Sequence, residues 1–401
     1  MFKTITTSLA LVFTLSGCNT TSKDQEQKKV TIDSVAVKQE SLKDSVIAES
    51  ICVSDSLNAI ANIISGIKDS TLVPYSYIQF SSDFKAFSKN FDKRWMAFDS
   101  SRLANLKLFK EKEVSQVIKP QATLFYPFSG PDILYAQTFF PEADQYVMIG
   151  LEPVGSLPQF NEHGKDSLDT YFSKVNTSLN AILKFSFFRT QSMKNDLHNA
   201  AVDGTLHLLF LFLKRTGNQL CSTKPVTVDS LGHVIVLNSF TELKKISTPT
   251  KGIEIKFSDI NHKAKTLYYF SLNAADGGLK PNKGFVTYLN QLGTFNTYLK
   301  GASYLMHKSY FTIIRDIILN QSEQVTQDDS GIALHYFTNS ASKWKYSFYG
   351  QYLRPIPMFS GFYQKDLDSL YKQQGAKPIG FGIGYNFKDK NSNFMIATKK
   401  R

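Results

Sequence analysis

The chain has 401 residues, 42% of them hydrophobic and 13% aromatic, with 46 Lys and Arg against 34 Asp and Glu. That apolar mass excludes a disordered chain and is enough to bury a sizeable core. A net charge of +12 points to a basic surface able to meet anionic partners, but the lysines are scattered and no nucleic-acid motif accompanies them, so nucleic acid is not expected.

The N-terminus reads MFKTITTSLALVFTLSGC, with Lys3 as a short positive region, an apolar run from Ile5 to Leu15 and the small residues Ser16 and Gly17 before Cys18. This is the layout of a secretory signal peptide over residues 1–17, and its apolar run is too short to span a bilayer. The Leu15-Ser16-Gly17-Cys18 stretch resembles the lipobox of bacterial lipoproteins. That resemblance implies that Cys18 becomes the first mature residue and carries the lipid, a palmitate-type acyl anchor. The expected location is therefore the cell envelope, with the protein lipid-anchored to the bacterial membrane, and the outer membrane is the expected one. An exported chain has no access to cytoplasmic pools of ATP, nicotinamide or S-adenosylmethionine, so no cofactor is expected.

Residues 18–48 begin NTTSKDQEQKK after the cysteine, a polar run with charges of both signs suited to a solvated tether. Residues 49–120 form a helical N-terminal region. In ICVSDSLNAIANIISGI, Leu57, Ile60, Ile64 and Ile67 share one helix face, and Phe80, Phe84, Phe87, Phe91, Trp95, Met96 and Phe98 form an aromatic stripe that packing explains best. A helix from Leu103 to Val117 ends before Pro120.

Residues 121–401 are expected to form an α/β domain, a mixed sheet with a Rossmann-like βαβ start and antiparallel additions. In ATLFYPFSGPDILYAQTFFPEADQYVMIGLE, a strand at 122–128, a helix from Pro131 or Asp132 to Phe140 and a strand at 145–151 make the first βαβ unit. Helices follow at 167–188 and 197–214. A hairpin in PVTVDSLGHVIVL, strands in GIEIKFSDI and KTLYYFSLNA, helices at 285–291 and 310–320, strand-like IALHYF and WKYSFYGQYL, a helix near 365–373 and the run IGFGIGYNF complete the chain.

The turn Phe128-Ser129-Gly130-Pro131-Asp132, followed by Glu152 twenty-two residues after Gly130, is similar to the opening motifs of class I methyltransferases over residues 122–153. The resemblance implies a cofactor loop at Ser129, Gly130 and Asp132 and a ribose-holding carboxylate at Glu152. Phe128 and Pro131 stand where glycine is wanted, and Pro131 removes an N–H donor, so the positions read as degenerate and no cofactor binding is expected at them. YPFSGPD with GLEPVG also resembles stretches in a family of uncharacterised lipoproteins of Bacteroidota-like bacteria, which implies no activity.

Weaker chemistry lies in YLKGASYLMH and QDDSGIALHYF, where Ser303, His307, Asp328 and Asp329 are the residue types of a hydrolase: a nucleophile, a base and an orienting carboxylate. No G-x-S-x-G elbow accompanies them. No metal site is expected, because the seven histidines never fall four residues apart with a second ligand. The aromatic run Trp344, Tyr346, Phe348, beside Lys343, Lys345 and Arg354, suits either helix packing or an acidic glycan. Three functions remain: a non-catalytic Rossmann-like envelope protein that binds a glycan or a protein partner, an envelope hydrolase, and an S-adenosylmethionine-dependent methyltransferase. Whether it is an enzyme at all stays open at this point, as does pairing of Cys52 with Cys221.

The anchor is directly testable. Cys18→Ala should abolish acylation and release the protein from the membrane fraction, read by metabolic labelling with a tagged fatty acid; equal labelling of the variant and the wild type refutes the anchor.

Overall fold

A computed structural model describes residues 52–69, 75–158, 160, 165–185, 198–199, 202–387 and 392–400. The expected signal peptide, Cys18 and the expected tether lie outside the described residues. Ten strands form one sheet: β1 (Thr123–Tyr126), β2 (Gln145–Gly150), β5 (Gln219–Val228), β6 (Val234–Val236), β7 (Lys251–Ser258), β8 (Ala264–Ser271), β9 (Phe295–Leu299), β10 (Ser322–Gln327), β11 (Trp344–Gly350) and β12 (Asn393–Lys399). A separate two-stranded ribbon is formed by β3 (His198–Asn199) and β4 (Val202–Asp203).

The sheet order is β11-β12-β10-β9-β1-β2-β8-β7-β5-β6. Its centre, β10-β9-β1-β2-β8, is parallel throughout. The C-terminal strand β12 inserts antiparallel between β10 and β11, and β7, β5 and β6 extend the other edge in antiparallel fashion. The fold is thus α/β with a mixed sheet, a βαβ start, antiparallel additions and a helical N-terminal region, as the residue pattern predicts.

Helices cover both faces. Alternate strand residues divide between two apolar clusters, with Leu124, Tyr126, Tyr146 and Met148 in one and Phe125, Val147 and Ile149 in the other. This is the period-2 consequence of burying a parallel sheet on both sides. The first cluster includes Ile60 and Ile64 of helix Asp55–Ile64, Phe84, Phe87, Phe91 and Trp95 of helix Ser82–Phe98, and Leu208 to Leu213 of helix Leu206–Arg215. Residues of the N-terminal region and of the sheet therefore share one core. The aromatic stripe is packing: Phe87 stacks on Phe172 at 4.4 Å, while Phe80 and Met96 point to solvent.

Chain direction explains which face each helix takes. Helix Ile133–Phe139 joins β1 to β2 on the first face, whereas helices Lys283–Gln291 and Thr312–Gln321, leading into β9 and β10, lie on the second. The order reverses between β1 and β9. That reversal opens a crevice at the carboxyl ends of the strands.

Several elements differ from the sequence reading. IALHYF is not a strand; Leu334–Thr338 is a short helix, started by a hydrogen bond from the Leu334 N–H to the Gln364 side chain and buried through Leu334 and Phe337. The helix expected at 197–214 begins only at Leu206, because Gly204, at a φ of 82°, lies against the backbone of Val154 and Gly155, where a Cβ would sit 2.5 Å from main-chain atoms. The helix expected from Leu103 is interrupted, with π-helical turns at Asp99–Leu103 and Lys110–Val114. The unpredicted β9, β10 and β12 complete the sheet. Part of the helix expected at 167–188 lies outside the described residues; the described helix is Lys165–Phe185.

Candidate functional site

The turn after β1 is built by the residues that the sequence singles out. Phe128 and Gly130 adopt positive φ, 62° and 53°. Ser129 donates both its N–H and its hydroxyl to the Ile149 carbonyl, at 3.0 and 3.2 Å, tying the turn to the end of β2. Asp132 is the helix cap, accepting from the Tyr135 N–H at 3.2 Å. Gly130 and Gly150 let the two strand ends approach: a Cβ on Gly150 would lie 3.1 Å from the Gly130 Cα and 2.6 Å from the Glu152 carboxylate. Glu152 is 2% exposed, so its carboxylate does not face open solvent, and its main-chain carbonyl accepts from the Tyr269 hydroxyl at 2.8 Å.

Asp132 has a second role that the spacing did not reveal. Its Oδ2 accepts from Lys300 Nζ at 2.6 Å and from the Tyr126 hydroxyl at 2.9 Å, with both charged side chains 1% exposed. Lys300 follows β9 directly, and its ammonium lies 3.3 Å from the centre of the Tyr135 ring. Burial pushes the Asp132 carboxyl up and the Lys300 ammonium down, and each charge opposes the other's shift. The pair locks the β1 turn to the end of β9 across the point where the strand order reverses.

Above this pair opens a cavity of about 690 Å³. It is lined from the carboxyl ends of four parallel strands: Phe128 and Gly130 after β1, Gly150 and Glu152 at β2, Asn273 after β8, and Gly301 and Ser303 after β9. Phe311, Phe359, Tyr385 and Lys308 close its sides, and Ile356 and Met358 form an apolar rim, Met358 being 81% exposed.

The hydrolase candidates gather at the same edge but not as a triad. Ser303, at a φ of 54°, lies 2.8 Å from the Tyr385 hydroxyl. That hydroxyl donates its proton to the Gly301 carbonyl at 2.8 Å, so the Ser303 hydroxyl is the donor towards Tyr385. His307 sits instead in a shell of Tyr304 and Phe362, its Nε2 without a hydrogen-bond partner, and burial lowers its pKa to about 4. It is a half-buried histidine packed among aromatic rings.

Asp328 and Asp329 are buried at the end of β10 and serve the backbone. Asp328 accepts from the N–H groups of Gly301 and Ser330 and from the Ser330 hydroxyl, and Ser330 in turn accepts from the Ala302 N–H at 2.7 Å. Asp329 accepts from the Tyr304 hydroxyl and the Asn393 amide, tying β12 to the loop after β9. Burial and the Asp329 charge raise Asp328 to about 7. Burial also raises Asp329. These carboxylates hold the Gly301–Tyr304 loop that floors the cavity.

Sequence reasoning missed Asn273, Phe311, Phe359 and Tyr385. The signal that finds residues such as Asn273 and Gly301 is position just past a parallel strand, and β9 was not recognised as one. The aromatic run of β11 is packing: Trp344 and Phe348 are buried, with Trp344 edge-on to Phe337 at 5.2 Å. Among the described residues no group of three or more His, Cys, Asp and Glu is placed to hold a metal, and no helix is long and apolar enough to cross a membrane. Comparison with protein-family models, with curated proteins and with solved structures finds no match.

Two variants probe the buried charges. Lys300→Met leaves the Asp132 carboxylate uncompensated and should cost about 3–5 kcal/mol in urea denaturation, a large part of which Asp132→Asn in the same chain should restore. For Asp328, the sign follows from a folded pKa of about 7 above the ordinary carboxylate value. Between those two values the unfolded chain has lost a proton that the folded chain keeps, so stability is greatest in acid and falls as pH rises towards 7. Asp328→Asn should remove about one proton from that slope, on the order of 1.4 kcal/mol per pH unit, read from denaturation midpoints between pH 4 and 8.

Proposed function

We propose that the protein is a lipid-anchored envelope protein that uses a Rossmann-like scaffold to bind a small hydroxyl-rich ligand, such as a saccharide, without performing chemistry on it. The observation that carries this reading is the cavity at the carboxyl ends of the parallel strands, lined by Glu152 together with Phe128, Phe311, Phe359 and Tyr385. A carboxylate accepts hydrogen bonds from vicinal hydroxyls, and aromatic rings cover the apolar faces of a sugar. Commitment of the Ser303 hydroxyl to Tyr385, with His307 elsewhere, argues against the serine hydrolase alternative.

A second reading is favoured by one specific observation. The seven-strand order β8-β2-β1-β9-β10-β12-β11, with β12 alone reversed, is the order expected of class I methyltransferases, to which residues 122–153 are similar. In that reading Glu152 would hold the ribose of S-adenosylmethionine and the Gly130 turn would face its methionyl part. The fit is poor at two places. Pro131 offers no N–H, and the Phe128 side chain lines the space that a glycine loop leaves open.

Thermal unfolding and calorimetry with soluble neutral and uronic-acid oligosaccharides, and separately with S-adenosylmethionine, decide between the readings. A ligand present at 100 times Kd stabilises by about 2.7 kcal/mol. Saturable stabilisation by an oligosaccharide, weakened at least about tenfold in Glu152→Gln, is expected, a loss of about 1.4 kcal/mol in binding. The same behaviour with S-adenosylmethionine instead would establish the second reading.

A further inference from the structure

The start of the described chain lies along the antiparallel edge of the sheet. Strand β6 covers β5 only at Val226–Val228, and the other end of β5 is met by residues 52–58. The Ser54 N–H donates to the Leu220 carbonyl at 2.8 Å, the Asn58 amide donates to the same carbonyl at 2.9 Å, and the Leu220 N–H donates to Asn58 Oδ1 at 3.1 Å. Cys221 is the extra residue of a bulge: Leu220 pairs with Phe257 and Ser222 with Lys256, leaving Cys221 without a partner on β7. A bulge turns its side chain out of the regular alternation. Cys221 Sγ consequently lies 2.5 Å from the Cys52 carbonyl oxygen, although the two residues are 169 positions apart.

We propose that Cys52 and Cys221 form a disulfide that fastens the base of the N-terminal segment to strand β5. Three hydrogen bonds joining Ser54 and Asn58 to Leu220 already hold the two stretches together beside the cysteines, whose side chains need only meet at bridging distance. Burial, with Cys52 beside it, raises the Cys221 thiol to about 12. Cys52 is exposed and Cys221 partly covered, so an oxidant meets Cys52 first.

The chemistry balances as thiol–disulfide exchange. The Cys52 thiolate attacks an external disulfide, and one thiol of that oxidant leaves with a proton. The Cys221 thiol then loses its proton and attacks Cys52 Sγ, expelling the second thiol. One S–S bond forms in the protein and one is broken in the oxidant, which gains the two electrons and two protons that the cysteines lose. In cells the oxidant is a disulfide-carrying oxidase of the envelope, and this part rests on the proposed export; the pairing geometry does not. The bond would close a long loop, where constraint of the unfolded chain is greatest. It would also keep a pull on the tether from peeling residues 52–58 off the sheet.

The test uses the full chain. Purified reduced protein is incubated with oxidised glutathione, alkylated and digested without reduction, and the peptides are weighed. A linked pair containing Cys52 and Cys221, lighter than the two separate peptides by two hydrogens and lost on reduction, is expected. Cys221→Ser should carry glutathione on Cys52 instead. The oxidised wild type should also unfold at a higher denaturant concentration than the reduced form, a shift that Cys52→Ser abolishes. Free alkylated Cys52 and Cys221 after oxidation, or a link from Cys52 to Cys18, overturns the proposal. The same mapping on protein taken directly from cells separates the two claims: a pair that forms in the tube but stays reduced in cells refutes export and leaves the pairing intact.

Discussion

The ion pair between Asp132 and Lys300 is the constraint on which the rest of the site depends. Two charges removed from water are costly unless each satisfies the other, and here the carboxylate also accepts from Tyr126 and from the Tyr135 N–H. Because Asp132 follows β1 and Lys300 follows β9, the pair joins the two strands between which the sheet changes direction. A single residue thereby caps a helix and anchors the neighbouring strand. The Gly130 turn and the Gly301 loop are brought side by side in the lining of one cavity.

A second layer of polar contacts holds the floor. Asp328, Asp329 and Ser330 accept from, or donate to, the loop at 301–304 and to β12, so the C-terminal strand and the loop after β9 are fixed together. Ser303 and Tyr304, both at positive φ, are kept there by Tyr385 and Asp329. Strained backbone of this kind persists only where its surroundings determine it, and it sits where the cavity is lined. The aspartates that look like catalytic parts in sequence are thus structural supports of the candidate binding site, and the groups that line the cavity include Glu152, Asn273, Ser303, Lys308 and the aromatic walls.

Much of the fold was legible in the residue pattern. β1, helix Ile133–Phe139 and β2 are apolar runs separated by a turn and by Pro141, and they occur where periodicity and punctuation place them. β10, SEQVTQ, was not legible, because polar side chains of the strand find partners on neighbouring strands: Ser322 bonds Thr297 on β9, and Gln324 bonds Thr398 on β12. IALHYF has the composition of a strand, but the end of β10 and Gln364 start a helix there, a tertiary override of a weak local preference.

The sequence by itself determined the class of fold and the location of the first turn, since both follow from local periods, glycine and proline chemistry and a capping aspartate. It also brought forward Ser129, Gly130, Asp132 and Glu152, which the structure places at or beneath the cavity. Only the tertiary structure decided what those residues do. Whether Asp132 meets water or Lys300, whether Ser303 faces His307 or Tyr385, and whether Cys221 meets Cys52 depend on contacts between residues 168, 82 and 169 positions apart, and no local spacing encodes distances set by how strands are ordered in a sheet.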